Sequence, residues 1–250
     1  MATASDDWTR RYTGSQSRAN GRVFISEIFH SLQGEGKYAG HPSIFVRTSG
    51  CNLRCAWCDT PHTSWQPEGE HLDVPRILQQ TAAWTHVEHA VLTGGEPMLQ
   101  SDLPDLVAEL RARGHIITIE TAATIFVPEL RPDLFSLSPK LANSLPSTDH
   151  GAARALHERN RKLDVVPRFL DNGCDVQVKF VVESAADLPE IIGLVARWQL
   201  PRDQVYLMPQ CISGNVLIEK GRLVADMCGQ EGFNFTGRMQ IELWGNERGT

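Results

Sequence analysis

The sequence predicts an α/β protein whose mostly parallel strands curl into a full or partial barrel, and three observations carry that reading. Short apolar runs alternate with amphipathic helical patterns along most of the chain. A helical pattern separates several successive runs, which calls for right-handed crossovers between parallel neighbours. The chemically conspicuous residues then fall at or just beyond the C-terminal ends of the predicted strands, the face on which such folds build their sites.

The elements follow in order. RVFISEIF and SIFVRTS alternate with period two and bracket the polar loop HSLQGEGKYAGHP. Asp73 with Pro75 opens a helix that runs to Trp84, and AVLTGG is a short buried strand ending in glycines. Ser101 is placed to cap a helix in which Leu103, Leu106, Val107 and Leu110 share a face, and Gly114 stops it. HIITIET, LFSLSPK, DVQVKFVV and QVYLMPQ are further strands. Leu188, Ile191, Ile192 and Val195 mark a helix between the last two. The alternation in MQIELWGNERGT predicts a final strand. Residues 1–21 are polar and expected to form a disordered leader, with 22–250 a single domain. In 142–170, AARALHERNRKL has a helical pattern whose charged face is assigned to solvent and given no role.

Composition narrows the function. Lys plus Arg number 24 against 30 Asp plus Glu, so a formal charge of −6 leaves no broad basic face for a phosphate backbone. No segment approaches the ~18 apolar residues that would span a bilayer, and a cytoplasmic protein is expected. Six cysteines are too few for a disulfide scaffold in a chain this long. Cys174, Cys211 and Cys228 are scattered and read as small buried hydrophobes.

The other three, Cys51, Cys55 and Cys58, stand as C-x3-C-x2-C in GCNLRCAWCDT. Thiolates at this spacing let one loop wrap several sulfurs around a corner of an iron–sulfur cluster or a zinc ion. A structural zinc site is normally closed by four protein ligands, and His62 is the nearest candidate for a fourth. The triplet alone leaves both metals open. TGGEP at 93–97 adds strand-end glycines that allow close backbone approach to a ligand, with Glu96 and nearby carbonyls able to accept from an ammonium group.

The cysteine triplet followed by strand-end GGEP resembles the radical S-adenosylmethionine superfamily. In that superfamily three cysteines hold a [4Fe-4S] cluster whose fourth iron chelates S-adenosylmethionine, and one electron cleaves the sulfonium to a 5′-deoxyadenosyl radical. Upstream, EIFHSLQGEGKYAGHPSIFVRTSGCNLRC is similar to the 7-carboxy-7-deazaguanine synthase family, from about Val23 to the C-terminus except for the divergent stretch 142–170. The resemblance implies a partial (β/α) barrel of the radical S-adenosylmethionine type, abbreviated relative to a full TIM barrel. It also implies conversion of 6-carboxy-5,6,7,8-tetrahydropterin to 7-carboxy-7-deazaguanine, with ammonia leaving.

Carried over by motif, Leu32, Gln33 and Gly34 would meet the pterin ring, Arg47 its carboxylate, and Thr93 the substrate. Taken alone, those segments read as a Gly-rich loop and a solvated charge. Thr60, after Asp59, would be a Mg²⁺ ligand, as hard oxygen donors suit that ion. Trp57, Cys58 and Asp59 would lie against S-adenosylmethionine and Gly95 would receive its amino group. Ser138, Pro139 and Lys140, with Met208, Pro209, Gln210 and Cys211, would line its ribose and adenine. The carboxylate of Thr250 is a further substrate contact, against the alternative of a frayed terminus. The resemblance implies a homodimer fed by an external one-electron donor such as flavodoxin or ferredoxin. Two other readings stand beside it: an activase of a glycyl-radical enzyme, and a zinc or iron–sulfur binding module without catalysis.

Overall fold

The computed structural model describes residues 21–250, so the expected leader lies, apart from Gly21, outside the described residues. In chain order the strands are β1 (Arg22–Leu32), β2 (Pro42–Thr48), β3 (Glu70–Asp73), β4 (His89–Gly94), β5 (Ile116–Thr121), β6 (Leu134–Leu137), β7 (Asp175–Val182), β8 (Val205–Pro209) and β9 (Asn234–Phe235). The helices are α1 (Pro61–Ser64), α2 (Val74–Thr81), α3 (Leu103–Ala112), α4 (Gly151–Asn160), α5 (Val166–Leu170), α6 (Leu188–Trp198), α7 (Gly214–Glu231) and α8 (Met239–Trp244).

All nine strands form one sheet in the order β3-β1-β2-β4-β5-β6-β7-β8-β9. From β2 onward every pair is parallel, whereas β1 pairs antiparallel with both β2 and β3. The sheet does not close: β3 and β9 are its edges, and the barrel is partial. β1 and β2 make a hairpin because only nine residues join them, too few for a crossover.

Both faces of the central strands are covered, so β4 and β7 are buried nearly end to end. α3 contributes Leu103, Leu106, Val107 and Leu110, as its spacing predicts, and Gly114 ends it at φ +87°. Asp73 caps α2 by accepting the Arg76 N–H at 2.9 Å. The cap position of α3 is Asp102 rather than Ser101; the Ser101 hydroxyl spends its proton on the Asp102 carboxylate at 2.9 Å. In α6 the buried stripe is Ile191, Leu194, Val195 and Trp198, and Ile192 faces solvent.

One further expectation is corrected and another is extended. MQIELW is α8 and not a strand: Ile241 turns inward, Leu243 and Trp244 stay exposed, and Gly245 at φ +75° ends the helix. The charged face of AARALHERNRKL is solvated as expected, with Glu158 and Arg159 exposed, but the stretch 142–170 is also anchored in the core. Its α5 sends Val166 and Phe169 into the core, where Phe169 meets Phe126 and Phe135 edge to face at 5.0 and 5.1 Å.

Candidate active site

The C-terminal ends of the parallel strands open into one cavity, and the loops that follow them supply its wall. β2 runs out through Thr48 into the cysteine loop, β4 ends at Gly94, β5 at Thr121, β6 at Leu137 and β8 at Pro209. Lys179 sits within β7 rather than at its end and also lines the cavity.

Close backbone contact explains the two glycines of TGGEP. A Cβ on Gly95 would lie 2.3 Å from the Gly50 carbonyl oxygen and 2.5 Å from that of Thr63. Gly94, at φ +140°, abuts Thr48 in the same way. The Glu96 N–H donates to the Gly50 carbonyl at 2.8 Å, tying the end of β4 to the start of the cysteine loop. Glu96 itself does not face a ligand. It is fully buried and accepts from the Thr121 hydroxyl at 2.7 Å and from the Ala122 and Met98 N–H groups at 3.0 and 3.1 Å. Burial pushes its carboxyl up, against those hydrogen bonds.

Cys51, Cys55 and Cys58 all line the cavity as free thiols, in an apolar shell with Leu53, Trp57 and Ala122. Burial pushes the Cys51 thiol well up, with the charges of Cys55 and Glu96 adding to it, and pushes Cys55 up to about 12. These sulfurs therefore become thiolates only against a strong local cation, which a bound iron centre supplies. Arg54, buried inside the loop, donates to the carbonyls of Cys51 and Leu53 at 2.8 and 2.7 Å and adds one fixed positive charge. A soft three-thiol set of this kind, two of them buried, fits an iron–sulfur cluster, in which each thiolate takes a different iron. Among the described residues no three His, Cys, Asp or Glu side chains are set to hold a single ion. His62 stands apart from the cavity wall, 3.6 Å from Glu27.

Beside the thiols lies a chain of charges built on two buried cations, Lys179 and Arg238. Lys179 pairs with Glu35 and, at 3.5 Å, with Glu120; Arg238 pairs with Glu35 at 3.2 Å and with Asp59. Burial pushes the Glu35 carboxyl up, but Lys179 and Arg238 outweigh it and hold the group at about 2. Burial lowers the Lys179 ammonium, and Glu120 and Glu35 more than reverse that. Glu120 also accepts from Gln33 Nε2 and the Thr93 hydroxyl, each at 3.4 Å. The C-terminal segment closes this side: the Met239 N–H donates to the Gly34 carbonyl at 3.1 Å, and Gln240 Nε2 to Glu35 at 2.8 Å.

Comparison with known proteins fixes the family. Residues 45–181 match the model of the radical SAM superfamily, more than half of the chain. The chain is 44% identical to a 7-carboxy-7-deazaguanine synthase from Rhodopirellula baltica over 95% of its own length and 92% of the relative's. It is 41% identical to one from Halobacterium salinarum, covering 88% and 90%. The chain belongs to the 7-carboxy-7-deazaguanine synthase family. The fold agrees: a crystal structure of QueE from Escherichia coli superposes with a TM-score of 0.62 at 25% identity, over 90% of this chain and all of that one. SuiB from Streptococcus suis bound to S-adenosylmethionine shares the fold at a TM-score of 0.54 and 16% identity, over 80% of this chain and 51% of that one.

Membership in this radical S-adenosylmethionine family brings a [4Fe-4S] cluster and S-adenosylmethionine as cofactors. Most residues that the sequence singles out line this cavity: the substrate set Leu32, Gln33, Gly34, Arg47, Thr93 and Thr250, and the cofactor and metal set Trp57, Asp59, Thr60, Gly95, Ser138, Lys140, Met208 and Gln210. Arg47 and Thr93 are register partners on β2 and β4. Arg47 Nε lies 2.8 Å from Glu27 Oε1 without the alignment of a hydrogen bond. Lys140 donates to the Ser138 hydroxyl at 2.8 Å and stands 5.6 Å over the Trp57 ring.

Three do not reach the wall. Pro139 and Pro209 are packed away from it, and Cys211 turns its sulfur to the Ser213 carbonyl at 3.0 Å in a small cluster with Leu217 and Ile241. The residues that sequence reasoning missed are Glu35, Glu120, Lys179, Arg238 and Gln240. Glu35 is the acidic residue of LQGEG, whereas Glu120 and Lys179 belong to no motif that gives them a role. Nothing local marked Arg238 or Gln240.

Proposed function

We propose that this chain converts 6-carboxy-5,6,7,8-tetrahydropterin to 7-carboxy-7-deazaguanine and ammonia. The single observation behind this is the joining, in one cavity, of the LQG segment, Arg47 and Thr93 with the three thiols and Gly95; relatives of the same length bear that name. Product and ammonia together contain the atoms of the substrate, so no net oxidant is consumed.

Cys51, Cys55 and Cys58 would hold the cluster. When bound, the cluster and S-adenosylmethionine supply one-electron chemistry that abstracts a hydrogen atom from carbon. Trp57, Asp59, Ser138, Lys140, Met208 and Gln210 would flank S-adenosylmethionine, with Gly95 offering backbone at its amino group. Gln33 and Gly34 would meet the edge of the pterin, Leu32 its face, and Arg47 its carboxylate in competition with Glu27. Glu120, held by Gln33, Thr93 and Lys179, is an oriented acceptor for the N–H groups of the ring. Thr60 would give Mg²⁺ a hydroxyl oxygen; its Oγ1 lies 3.3 Å from the Thr63 hydroxyl. Thr250, on the cavity wall, would bring its carboxylate to the substrate. The apolar shell and the segment 239–250 exclude water from the reacting centre.

The same reading takes 22–250 as one domain on a single sheet. It places the protein in the cytoplasm, with an external flavodoxin or ferredoxin as donor. In support, all six cysteines are free, and no helix among the described residues is long and apolar enough to cross a membrane. A homodimer is favoured by the exposed apolar side chains Ile218, Phe235, Leu243 and Trp244 on α7, the edge strand β9 and α8. The test is anaerobic reconstitution with iron and sulfide, then incubation with reductant, S-adenosylmethionine, Mg²⁺ and the pterin. Formation of the deazaguanine is expected; its absence from protein with an intact cluster defeats the assignment.

A further inference from the structure

The segment from Asn143 to Asn160 lies against the back of the cysteine loop and grips it at alternate residues. The Asn52 carbonyl accepts from Asn160 Nδ2 at 2.7 Å, the Arg54 N–H donates to His157 Nδ1 at 3.1 Å, and the Ala56 N–H donates to the Ser144 carbonyl at 2.9 Å. Trp57 Nε1 adds a bond to the Asn143 carbonyl at 3.0 Å. The loop between the first and last thiol thus has three backbone positions and one side chain tied to a single neighbouring element.

His157, on α4 and fully buried, is the centre of this grip. Its Nε2 lies 3.0 Å from the Ser144 hydroxyl, whose own proton goes to the Leu141 carbonyl at 2.6 Å. The hydroxyl must therefore accept from Nε2–H, which assigns the proton to Nε2 and leaves the Nδ1 lone pair for the Arg54 amide. Burial pushes the imidazole down to about 4, in keeping with a neutral ring.

We propose that His157 is a positioning residue for the cluster-binding loop, holding the Arg54 amide so that the three thiols are arranged before any iron binds. This rests on the reading of the cysteines as cluster ligands, and it is of the kind expected where a site must be held by its supporting shell.

Two substitutions separate the hydrogen bond from the mere bulk of the ring. His157→Asn keeps an acceptor close to the Nδ1 position, while His157→Gln reaches toward Ser144 and takes the Nδ1 acceptor away from the Arg54 amide. In metal-free protein, hydrogen–deuterium exchange of residues 52–58 should rise about tenfold in the Gln variant and less than about threefold in the Asn variant, with β7 unchanged in both. After anaerobic reconstitution, transfer of iron to a chelator should follow the same order. Asn160→Ala, which removes only the Asn52 contact, should also raise exchange in the loop and serves if the Gln variant does not fold. Wild-type exchange in the Gln and Ala variants, or equal impairment by Asn and Gln, overturns the proposal. Should wild-type protein take up no cluster at all, the ligand reading falls while the metal-free exchange still decides the role of His157.

Discussion

Gly95→Ala tests the packing of the site at a single methyl group. The new Cβ would meet the Gly50 carbonyl oxygen at 2.3 Å, the Thr63 carbonyl oxygen at 2.5 Å and the Gly50 carbonyl carbon at 2.7 Å, all of them backbone atoms. Relieving the first contact to 3.0 Å moves that carbonyl by 0.7 Å, the difference between the two distances. The Gly50 carbonyl accepts from Glu96 N–H, and Gly50 N–H donates to Thr63, each at 2.8 Å, so both bonds are strained together. Two backbone hydrogen bonds at ~0.5–1.5 kcal/mol each and overpacking at ~1–3 kcal/mol give a loss of roughly 2–6 kcal/mol. Urea unfolding of the metal-free protein measures it, with Gly193→Ala as control. Gly193 is exposed in mid-α6 with nothing within 4 Å of an added Cβ, and alanine there should stabilise by about 0.5–1 kcal/mol. A loss below about 1 kcal/mol for Gly95→Ala would show that the cysteine loop yields freely, and the argument from close approach would fail.

Glu35→Gln removes the carboxylate between Lys179 and Arg238 and should cost about 3–5 kcal/mol at pH 7 by denaturant unfolding. The carboxyl is held below its unfolded value, so its contribution is complete above pH about 4.5 and is lost as pH falls through about 2; the wild-type stability should drop across that window and the Gln variant should lack that part of the slope. Thr60→Ala should leave the cluster spectrum intact and weaken Mg²⁺ stimulation of turnover, and undiminished stimulation would remove Thr60 from the metal site. Phe169→Ala should destabilise by about 3–5 kcal/mol in thermal or urea melts, because the side chain is fully buried against Phe126 and Phe135; a loss under about 1 kcal/mol would mean that the divergent segment is not anchored in the core.

What could be read from the chain was the chemistry that sits close in sequence. The thiols at 51, 55 and 58 and the glycines at 94 and 95 are recognisable from spacing because each set occupies one loop. The strand patterns around them are set by local period, so their ends were placed well enough to bring the ligand-facing residues to one rim. The counter-charges were not legible, because a buried charge is compensated by whatever the fold delivers. Lys179, Glu35 and Arg238 come from β7, the loop after β1 and the tail. His157 shows the same limit: a helix rich in charge reads as solvated, and only tertiary contact reveals that one of its side chains accepts the Arg54 amide.

The tail makes the dependence reciprocal. MQIELW alternates over too few residues for period to choose between strand and helix, and its fate is settled by what precedes it. Arg238 is almost fully buried, and a guanidinium is tolerated there only if its charge and donors are met. Glu35 and Asp59 meet the charge and the Cys211 carbonyl takes a third donor at 2.5 Å. Those partners lie on the loop after β1, on the residue following the last thiol, and at the end of β8. With these partners met, α8 covers Gly34, whose carbonyl accepts from the Met239 N–H, and its Gln240 helps to hold Glu35 beside Lys179. The cover over the cavity and the charges within it depend on each other, because buried Lys179 and Arg238 each need the carboxylates beside them.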